Sequence, residues 1–264
     1  MINSTSNKQV RHVVNLCAKA KARREEGLYV AEGLRICREY APKEIESLYV
    51  TEAFLSQPEN RKWLEGYSYE TVTDAVMKVM ADTRTPQGVL AVVRQKDYKL
   101  EDMLAGGQKC FLMLLENIQD PGNLGTIVRA GEGAGITGIV MSRDTADIYN
   151  PKVIRSTMGS VLRVPFVYAD SFPDACRRIK QAGVRLFAAH LKGANNYDRE
   201  VYTEAVGFMI GNEANGLTDE AAALADCCVK IPMAGRVESL NAAVAASVLM
   251  FEAARQRRIA GGDK

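Results

Sequence analysis

The chain has 264 residues, of which 47% are hydrophobic and 25% charged, and its net charge is +2. This composition is ordinary for a soluble globular protein that buries a sizeable core in one large domain or two small ones. No run approaches the roughly 18 apolar residues needed to cross a bilayer, and the N-terminus lacks the apolar core of a signal peptide. We therefore expect a cytoplasmic protein without a membrane partner.

The basic residues are unevenly distributed along the chain. Residues 1–24 contain no acidic side chain but six basic ones, which are Lys8, Arg11, Lys19, Lys21, Arg23 and Arg24. Such a cluster suits contacts to nucleic-acid phosphates, although a solvated helix face explains it equally well.

Neither metal chemistry nor covalent catalysis is favoured. The six cysteines show no CxxC spacing and no pattern of metal ligands with a histidine, so we expect reduced thiols and no metal site. No serine or cysteine occupies a nucleophile elbow. Of the two histidines, His12 and His190, the second ends a predicted strand, where a surface or hydrogen-bonded histidine is commoner than one that lines a pocket.

The first third of the chain predicts a small α/β domain over residues 1–95. Residues Lys8 to Glu26 predict one basic helix, whose apolar side carries Val10, Val13, Val14, Leu16 and Cys17. The β-rich runs LYVAEG, SLYVT and GVLAVVRQ follow, with helical stretches such as DAVMKVMA between them. Residues 96–108 lose the apolar periodicity and contain Gly106 and Gly107, which predicts an interdomain linker.

From residue 109 onward, predicted strands and helices alternate. The strands are CFLMLLE, GIVMS, VPFVYA, VRLFAAH, AVGFMIG and CVKIPM, and the helices include NLGTIVRAGEGAG, PKVIRSTMGSVL, FPDACRRIKQAG, TDEAAALA and a last one from about Ser239 to Arg258. Repeated βα units predict a mostly parallel sheet covered by helices on both faces. In such sheets ligands bind outside the carboxyl ends of the strands, so the loops there are the candidate sites.

The segment GAGITG, residues 133–138, fits the GxGxxG pattern of dinucleotide-binding oxidoreductases. In that fingerprint the glycines follow a strand and open a helix, whereas here they close a predicted helix and precede a strand. The segment therefore predicts a helix C-cap and a tight turn instead.

The first candidate loop is ENIQDPGNLGTIVR. Asp120, Pro121 and Gly122 predict a turn, and Asn123 stands at a helix start. Arg129 lies a little under two helical turns further on, only loosely on the same side, and its side chain leans toward the helix N-terminus. A capped helix with one surface arginine is the simpler interpretation.

Two later loops are also unusual. In IGNEANGLT, Glu213 lies between Gly211 and Gly216, which permit close backbone approach or a positive φ. In IPMAGRVESLNAAVAASV, Ser239 or Glu238 is the predicted N-cap, with Asn241 in the first turn. An ordinary glycine-rich turn and a simple helix cap remain the alternatives.

Together, NLGTIVR, GNEANGL and IPMAGRVESLN resemble the three motifs of the SpoU branch of the SPOUT superfamily, the RNA ribose 2′-O-methyltransferases. The resemblance covers Lys109 to Arg258, and TPQGVLAVV and YVAEGLRI are similar to parts of the family's ribosomal-protein-like RNA-binding extension. It implies an α/β fold in which residues 109–264 form a SPOUT domain with a parallel sheet and a deep trefoil knot. A small N-terminal α/β domain would bind RNA.

The resemblance also implies the ligands and the assembly. S-adenosylmethionine would be held largely by backbone groups at Gly211, Ile231 and Leu240, with Met233 a further candidate. Members of the family work as homodimers through the catalytic domain, and the apolar face of AAVAASVLMFEAA would suit that interface, though a buried intrachain helix would look the same.

The family proposal gives Arg129 a direct part in activating the 2′-OH. Because a guanidinium is a poor base, we favour a role in binding phosphate or stabilising the oxyanion. Glu213 would either orient Arg129 through an ion pair or take the proton itself. Asn123, Ser239 and Asn241 would complete the polar set by hydrogen bonding to ribose, phosphate or cofactor.

Large-subunit (23S) rRNA is the favoured substrate, by analogy with family members that carry an extension of this type, and tRNA is the alternative. A catalytically silent RNA-binding protein would use the same two domains. The intact set of Asn123, Arg129, Glu213, Ser239 and Asn241 argues against that interpretation.

Overall fold

The computed structural model describes residues 1–105, 107–191 and 193–261. The chain folds into two compact units. Unit 1 comprises Met1–Asp97 and Asp147–Gly159, and unit 2 comprises Tyr98–Ala146 and Ser160–Lys264. The chain therefore passes from one unit to the other three times. The sequence predicts a single crossing within residues 96–108, of which Gly106 lies outside the described residues.

The α-helices of the described residues are α1 (Lys8–Ala18), α2 (Ala20–Glu26), α3 (Leu34–Cys37), α4 (Glu52–Leu55), α5 (Pro58–Trp63), α6 (Asp74–Met80), α7 (Leu100–Leu104), α8 (Pro121–Ala134), α9 (Pro151–Thr157), α10 (Phe172–Gln181), α11 (Asp219–Leu224) and α12 (Ala242–Ala260). Short 3-10 helices span Pro42–Glu44, Gly107–Lys109, Ser160–Leu162 and Tyr197–Arg199.

The strands of the described residues are β1 (Leu28–Glu32), β2 (Ile45–Thr51), β3 (Glu70–Val72), β4 (Val89–Arg94), β5 (Phe111–Leu115), β6 (Gly138–Ser142), β7 (Phe166–Ala169), β8 (Arg185–Ala189), β9 (Asn195–Asn196), β10 (Val206–Ile210) and β11 (Cys227–Lys230).

Unit 1 is built on a four-stranded sheet in the order β1-β4-β2-β3. β4 pairs antiparallel with both β1 and β2, and β2 pairs parallel with β3. Helices α1 and α6 contribute buried side chains to one core cluster with this sheet, among them Val13, Leu16 and Met77. The apolar periodicity of both helices predicts this packing.

The single helix predicted for Lys8–Glu26 is wrong, because the backbone turns extended at Lys19 (φ −121°, ψ 114°) and divides it into α1 and α2. Arg23 is the physical reason. Its guanidinium is buried and donates to the carbonyl oxygens of Leu16 (2.6 Å) and Cys17 (2.9 Å), which the broken helix leaves without helical partners. Of the five predicted apolar residues, Val14 and Cys17 are only half-buried.

Unit 2 contains a seven-stranded sheet in the order β7-β6-β5-β10-β8-β11-β9, in which each neighbouring pair is parallel. The parallel sheet and its βα alternation confirm the predicted fold class. The segment GAGITG closes α8, as expected. Its Gly135 is the C-cap in the left-handed conformation (φ 81°), and β6 follows.

Two segments differ from their predicted structure, and one strand is not predicted. Residues 96–108, expected to be a linker, contain α7, whose Leu100 and Met103 are buried in the core of unit 2. The predicted helix PKVIRSTMGSVL ends at Thr157, where Met158 turns left-handed (φ 51°), and α9 belongs to unit 1. The two-residue strand β9 is too short to leave a sequence pattern.

Arg23 provides a stability test for unit 1. Its guanidinium also pairs with Asp147 (2.7 Å), so the change Arg23→Ala leaves a carboxylate and two carbonyl groups without their donor. We expect a loss of about 3 kcal/mol in the free energy of unfolding, as for removal of one partner of a buried ion pair. Urea unfolding followed by fluorescence of the single tryptophan, Trp63, reports on this unit.

The matched control is Arg94→Ala, which removes an arginine whose pair with Glu46 is exposed. This change should cost no more than about 1 kcal/mol. Equal destabilisation by the two substitutions would contradict the structural role given to Arg23.

Candidate functional site

The site lies where adjacent parallel strands of unit 2 end. The first loop follows β5 and opens α8, with Pro121 at the first helical position. The carboxylate of Asp120 caps the helix by accepting from the Asn123 backbone NH (2.8 Å). This cap fixes Asn123 in the first turn. The helix begins at Pro121, whereas the sequence predicts a turn at Asp120, Pro121 and Gly122 and a helix start at Asn123.

Arg129 lies further along α8 and is exposed. Its guanidinium forms no hydrogen bond or ion pair with any residue that the structure describes. An exposed guanidinium without a protein partner retains all of its donors for an anionic ligand.

The second loop follows β10 and doubles back on itself. Asn212 and Gly216 exchange two backbone hydrogen bonds (3.0 and 2.8 Å), and Gly216 has a φ of +71°. A Cβ on Gly211 would lie 2.0 Å from the Gly216 carbonyl carbon and 2.1 Å from the Leu217 nitrogen. Both glycines are therefore required by the backbone, Gly211 by the close approach and Gly216 by its positive φ.

Asn212 joins this loop to the first one. Its Nδ2 donates to the carbonyl of Asn117 (2.9 Å), a non-glycine residue with a φ of 57°. Its Oδ1 accepts from the backbone NH groups of Ala214 (3.0 Å) and Asn215 (3.2 Å). The motif contains this residue, but no spacing or composition signal distinguishes it as a residue that ties two loops together.

The third loop, residues 231–240, leads into α12. The N-cap of that helix is Asn241, whose Oδ1 accepts from Ala243 N (2.9 Å) and Val244 N (3.3 Å). The predicted caps Ser239 and Glu238 are therefore wrong, and α12 begins at Ala242. Ser239 is exposed in the loop.

A chain of side-chain hydrogen bonds joins the three loops. Asn241 Nδ2 donates to Asn123 Oδ1 (2.9 Å), and Asn123 Nδ2 donates to Glu213 Oε1 (2.8 Å). The Glu213 carboxylate also accepts from the backbone NH groups of Gln119 and Asp120, both at 3.1 Å. Three residues from distant parts of the chain thus hold each other in one arrangement.

These contacts favour the charged form of the Glu213 carboxyl group. Burial alone would raise the pKa of its carboxyl group, but hydrogen bonds from Asn123, Gln119 and Asp120 stabilise the charged form and lower the pKa below its ordinary value. A carboxylate with a lowered pKa is a weak proton acceptor. The predicted ion pair between Glu213 and Arg129 is also absent from the described residues.

A cavity of about 650 Å³ opens beside this network. All four predicted cofactor residues line it, namely Gly211, Ile231, Met233 and Leu240, together with Glu213 and Ser239. Asn123, Arg129 and Asn241 are not among its lining residues. The cavity lies within the usual size range for ligand sites.

His190 and Leu191 also line the cavity, whereas the sequence favours a surface or hydrogen-bonded histidine over one that lines a pocket. They follow β8, which lies between β10 and β11 in the sheet. The strand order, which the sequence does not reveal, brings this loop to the site. Its backbone is fixed by a bond from His190 N to the Val229 carbonyl (3.0 Å).

Within the described residues, no group of three or more His, Cys, Asp or Glu side chains could hold a metal ion. No helix in the part of the chain that the structure describes is long and apolar enough to span a membrane.

Two families match the sequence. Residues 110–251 match the SpoU rRNA Methylase family, and residues 7–91 match the MRM3-like substrate binding domain. The first match covers more than half of the chain and contains all three loops of the site.

Individual relatives are similar over nearly the whole chain. The 23S rRNA (guanosine(2553)-2′-O)-methyltransferase RlmP of Bacillus subtilis is 30% identical over 253 residues, which are 95% of this chain and 97% of that protein. The crystal structure of an AdoMet-bound rRNA methyltransferase from Sinorhizobium meliloti has a TM-score of 0.85 at 31% identity and covers 96% of this chain and 97% of its own.

A third similar structure is the SpoU methyltransferase AviRb from Streptomyces viridochromogenes in complex with AdoMet. Its TM-score is 0.85 at 26% identity, with 95% of this chain and 98% of that chain covered.

The close approach at Gly211 yields a prediction for the second loop. The change Gly211→Ala forces the backbone at Gly216 and Leu217 to move, so we expect a loss of about 1–3 kcal/mol in the free energy of unfolding, measured by circular dichroism in urea. In Gly235→Ala, where a new Cβ meets nothing within 4 Å, stability should stay within about 0.5 kcal/mol of the unchanged chain. A Gly211→Ala chain as stable as this control would refute the close approach.

Proposed function

Because the chain belongs to the SpoU rRNA methylase family, we propose that it transfers the methyl group of S-adenosylmethionine to a ribose 2′-OH of large-subunit rRNA. The single observation that carries this proposal is the hydrogen-bonded link between the three motif loops beside a ligand-sized cavity. The AdoMet-bound rRNA methyltransferase from Sinorhizobium meliloti, similar over 96% of the chain, supports the choice of cofactor.

The chemistry of the cavity suits this cofactor. Residues 231–240 form no hydrogen bond with any described residue, so their backbone NH and CO groups remain available to a ligand. Ile231, Met233 and Leu240 add apolar surface for an adenine ring, and Gly211 adds backbone to the lining. When bound, the sulfonium group of S-adenosylmethionine supplies the electrophilic methyl.

We assign to Arg129 the stabilisation of negative charge on the RNA. Its partnerless guanidinium would bind the phosphate next to the target ribose and stabilise charge that develops on the 2′-oxygen. Three residues act as positioning residues, because their side chains hydrogen-bond to one another: Glu213, Asn123 and Asn241. Ser239, exposed at the cavity, would donate to ribose or cofactor.

Unit 1 would bind the RNA substrate and determine which RNA is selected. Of the six basic residues in the first 24, Arg23 is buried and paired with Asp147, so it is not available to phosphates. The other five are exposed and would supply contacts that do not depend on sequence. The match of residues 7–91 to a substrate-binding domain supports this division of tasks.

A homodimer through unit 2 is part of the proposal. Helix α12 presents Phe251 (51% exposed) and Val244 (47% exposed), an apolar surface that a second copy would cover. Threading of α12 through a trefoil knot is proposed on family grounds, and the packing of α12 against α8 is consistent with it.

The direct test is a methyl-transfer assay with tritiated S-adenosylmethionine on unmodified large-subunit rRNA, with total tRNA in parallel. We expect label in the rRNA, located by alkaline resistance of the modified linkage. Label in tRNA alone would move the substrate to the alternative class. Absence of label in both RNAs, with cofactor binding intact, would support the silent RNA-binding protein.

Arg129→Ala should lower kcat by about 10²–10³-fold, the usual cost of removing one group that stabilises developing charge. Binding of S-adenosylmethionine, measured by calorimetry, should be unchanged because Arg129 does not line the cavity. Thr126→Ala, an exposed change on the same helix, is the control and should leave both quantities unaltered. Joint loss of methylation and cofactor binding would contradict the role assigned to Arg129.

Glu213→Gln separates a positioning role from a proton-accepting one. Glutamine has one acceptor oxygen where the carboxylate has two, so a backbone NH of Gln119 or Asp120 would face an amide NH₂. We expect a rate up to about 10²-fold lower through misplacement of the loops. The rate–pH profile should keep its shape between about pH 6 and 9, where a carboxyl with a lowered pKa stays ionised.

Glu220→Gln, at an exposed residue on α11, is the matched control for loss of one negative charge. A rise of rate with pH that is present in the unchanged chain and absent in Glu213→Gln would instead identify Glu213 as the general base.

A further inference from the structure

Unit 1 contains a cavity of about 430 Å³ that shares no lining residue with the cavity of the candidate site. It is lined in part by α4, by α6 and by the loop between α6 and β4. The residues that matter here are Ala53, Met77, Lys78, Arg84, Thr85 and Gln87.

The loop over this cavity is fixed at both of its ends. At the start, the Glu32 carboxylate accepts from the backbone NH groups of Asp82 (3.0 Å) and Thr83 (3.3 Å) and from the Thr83 hydroxyl. At the end, the Gln87 side-chain oxygen accepts from Leu34 N (3.0 Å).

The residue after Gln87 is fixed as well. Gly88 has a φ of +79°, and a Cβ there would lie 2.6 Å from the Thr51 hydroxyl oxygen. The loop is therefore held in one conformation before any ligand arrives.

The middle of the loop is left without partners. Arg84 and Thr85 are exposed, and neither forms a hydrogen bond or an ion pair with any described residue; the same holds for the Lys78 ammonium group on α6. Met77, only 1% exposed, gives the cavity an apolar floor. Asp74 is the acidic residue of the lining, so the two cations leave it net positive.

We propose that this cavity holds one unpaired nucleotide of the RNA substrate, with Arg84 and Lys78 on its phosphate. The inference rests on the proposed function, and it adds a specific contact site to unit 1. Its volume falls within the usual range for small-ligand sites. Unpaired cations beside an apolar floor suit the phosphate and the base of a splayed nucleotide, which is how proteins recognise single-stranded RNA loops.

The first test removes the charges. The double change Lys78→Ala and Arg84→Ala is compared with Lys43→Ala and Lys62→Ala, two exposed lysines of unit 1 outside the cavity. The full chain is titrated with unmodified large-subunit rRNA over a range of salt concentrations. We expect about 10-fold or greater loss of affinity, and a salt slope smaller by about 2, for the first pair only.

The second test fills the cavity without changing charge. Ala53→Phe places a ring in its wall, whereas Ala75→Phe places one on an exposed part of α6 that does not line it. Ala53→Phe should weaken rRNA binding and raise the KM for rRNA, with an unchanged salt slope and unchanged kcat and S-adenosylmethionine affinity. Ala75→Phe should change none of these.

Two results would overturn the inference while leaving the proposed function intact. In the first, the charge variant binds rRNA with the same affinity and salt slope as the lysine control. The cavity would then bind a protein partner or no ligand. The other is unchanged binding by Ala53→Phe, which would reduce the site to surface charge. Failure of the unchanged chain to bind or methylate rRNA would overturn the proposed function and this inference together.

Discussion

The hydrogen bonds from Asn241 to Asn123 and from Asn123 to Glu213 are the contacts on which the site depends. They join the end of β5, the end of β10 and the start of α12, through pairs of residues 118 and 90 positions apart in the sequence. Two members also accept from backbone NH groups: Asn241 caps α12, and Glu213 holds the backbone of Gln119 and Asp120 before α8. A shift in one loop would therefore be transmitted to the other two, and the cavity between the second and third loops would change with them.

This arrangement changes the chemical role of Glu213. A carboxylate that accepts three hydrogen bonds is stabilised in its charged form, which is useful for holding loops and unfavourable for removing a proton. Arg129, by contrast, is exposed and has no partner among the described residues. We propose that it binds the RNA. Six residues of the third loop line the cavity, and the backbone groups of residues 231–240 form no hydrogen bond with any described residue. We propose that these groups bind the cofactor.

Patterns that repeat within one element were predictable from the sequence. The βα alternation indicated the parallel sheet, paired glycines indicated the tight approach at Gly211, and the four proposed cofactor residues do line one cavity. Contacts between distant residues were not predictable. The sequence could not show that Arg23 would be buried under a broken helix, that residues 147–159 would join unit 1, or that strand order would bring His190 to the cavity. Asn241 rather than Ser239 caps α12, and its amide nitrogen also donates to Asn123, a contact that the sequence does not reveal.

We propose that these loops form a 2′-O-methyltransferase site for large-subunit rRNA, in which Arg129 acts on the RNA and not on the cofactor. The most direct measurement is mass-spectrometric mapping of 2′-O-methyl groups in RNA from cells that lack the gene, complemented either with the unchanged chain or with Arg129→Ala. We predict one large-subunit site that disappears with the gene, returns with the unchanged chain and stays absent with Arg129→Ala. An rRNA methylation pattern that is the same in all these cells would contradict the claim.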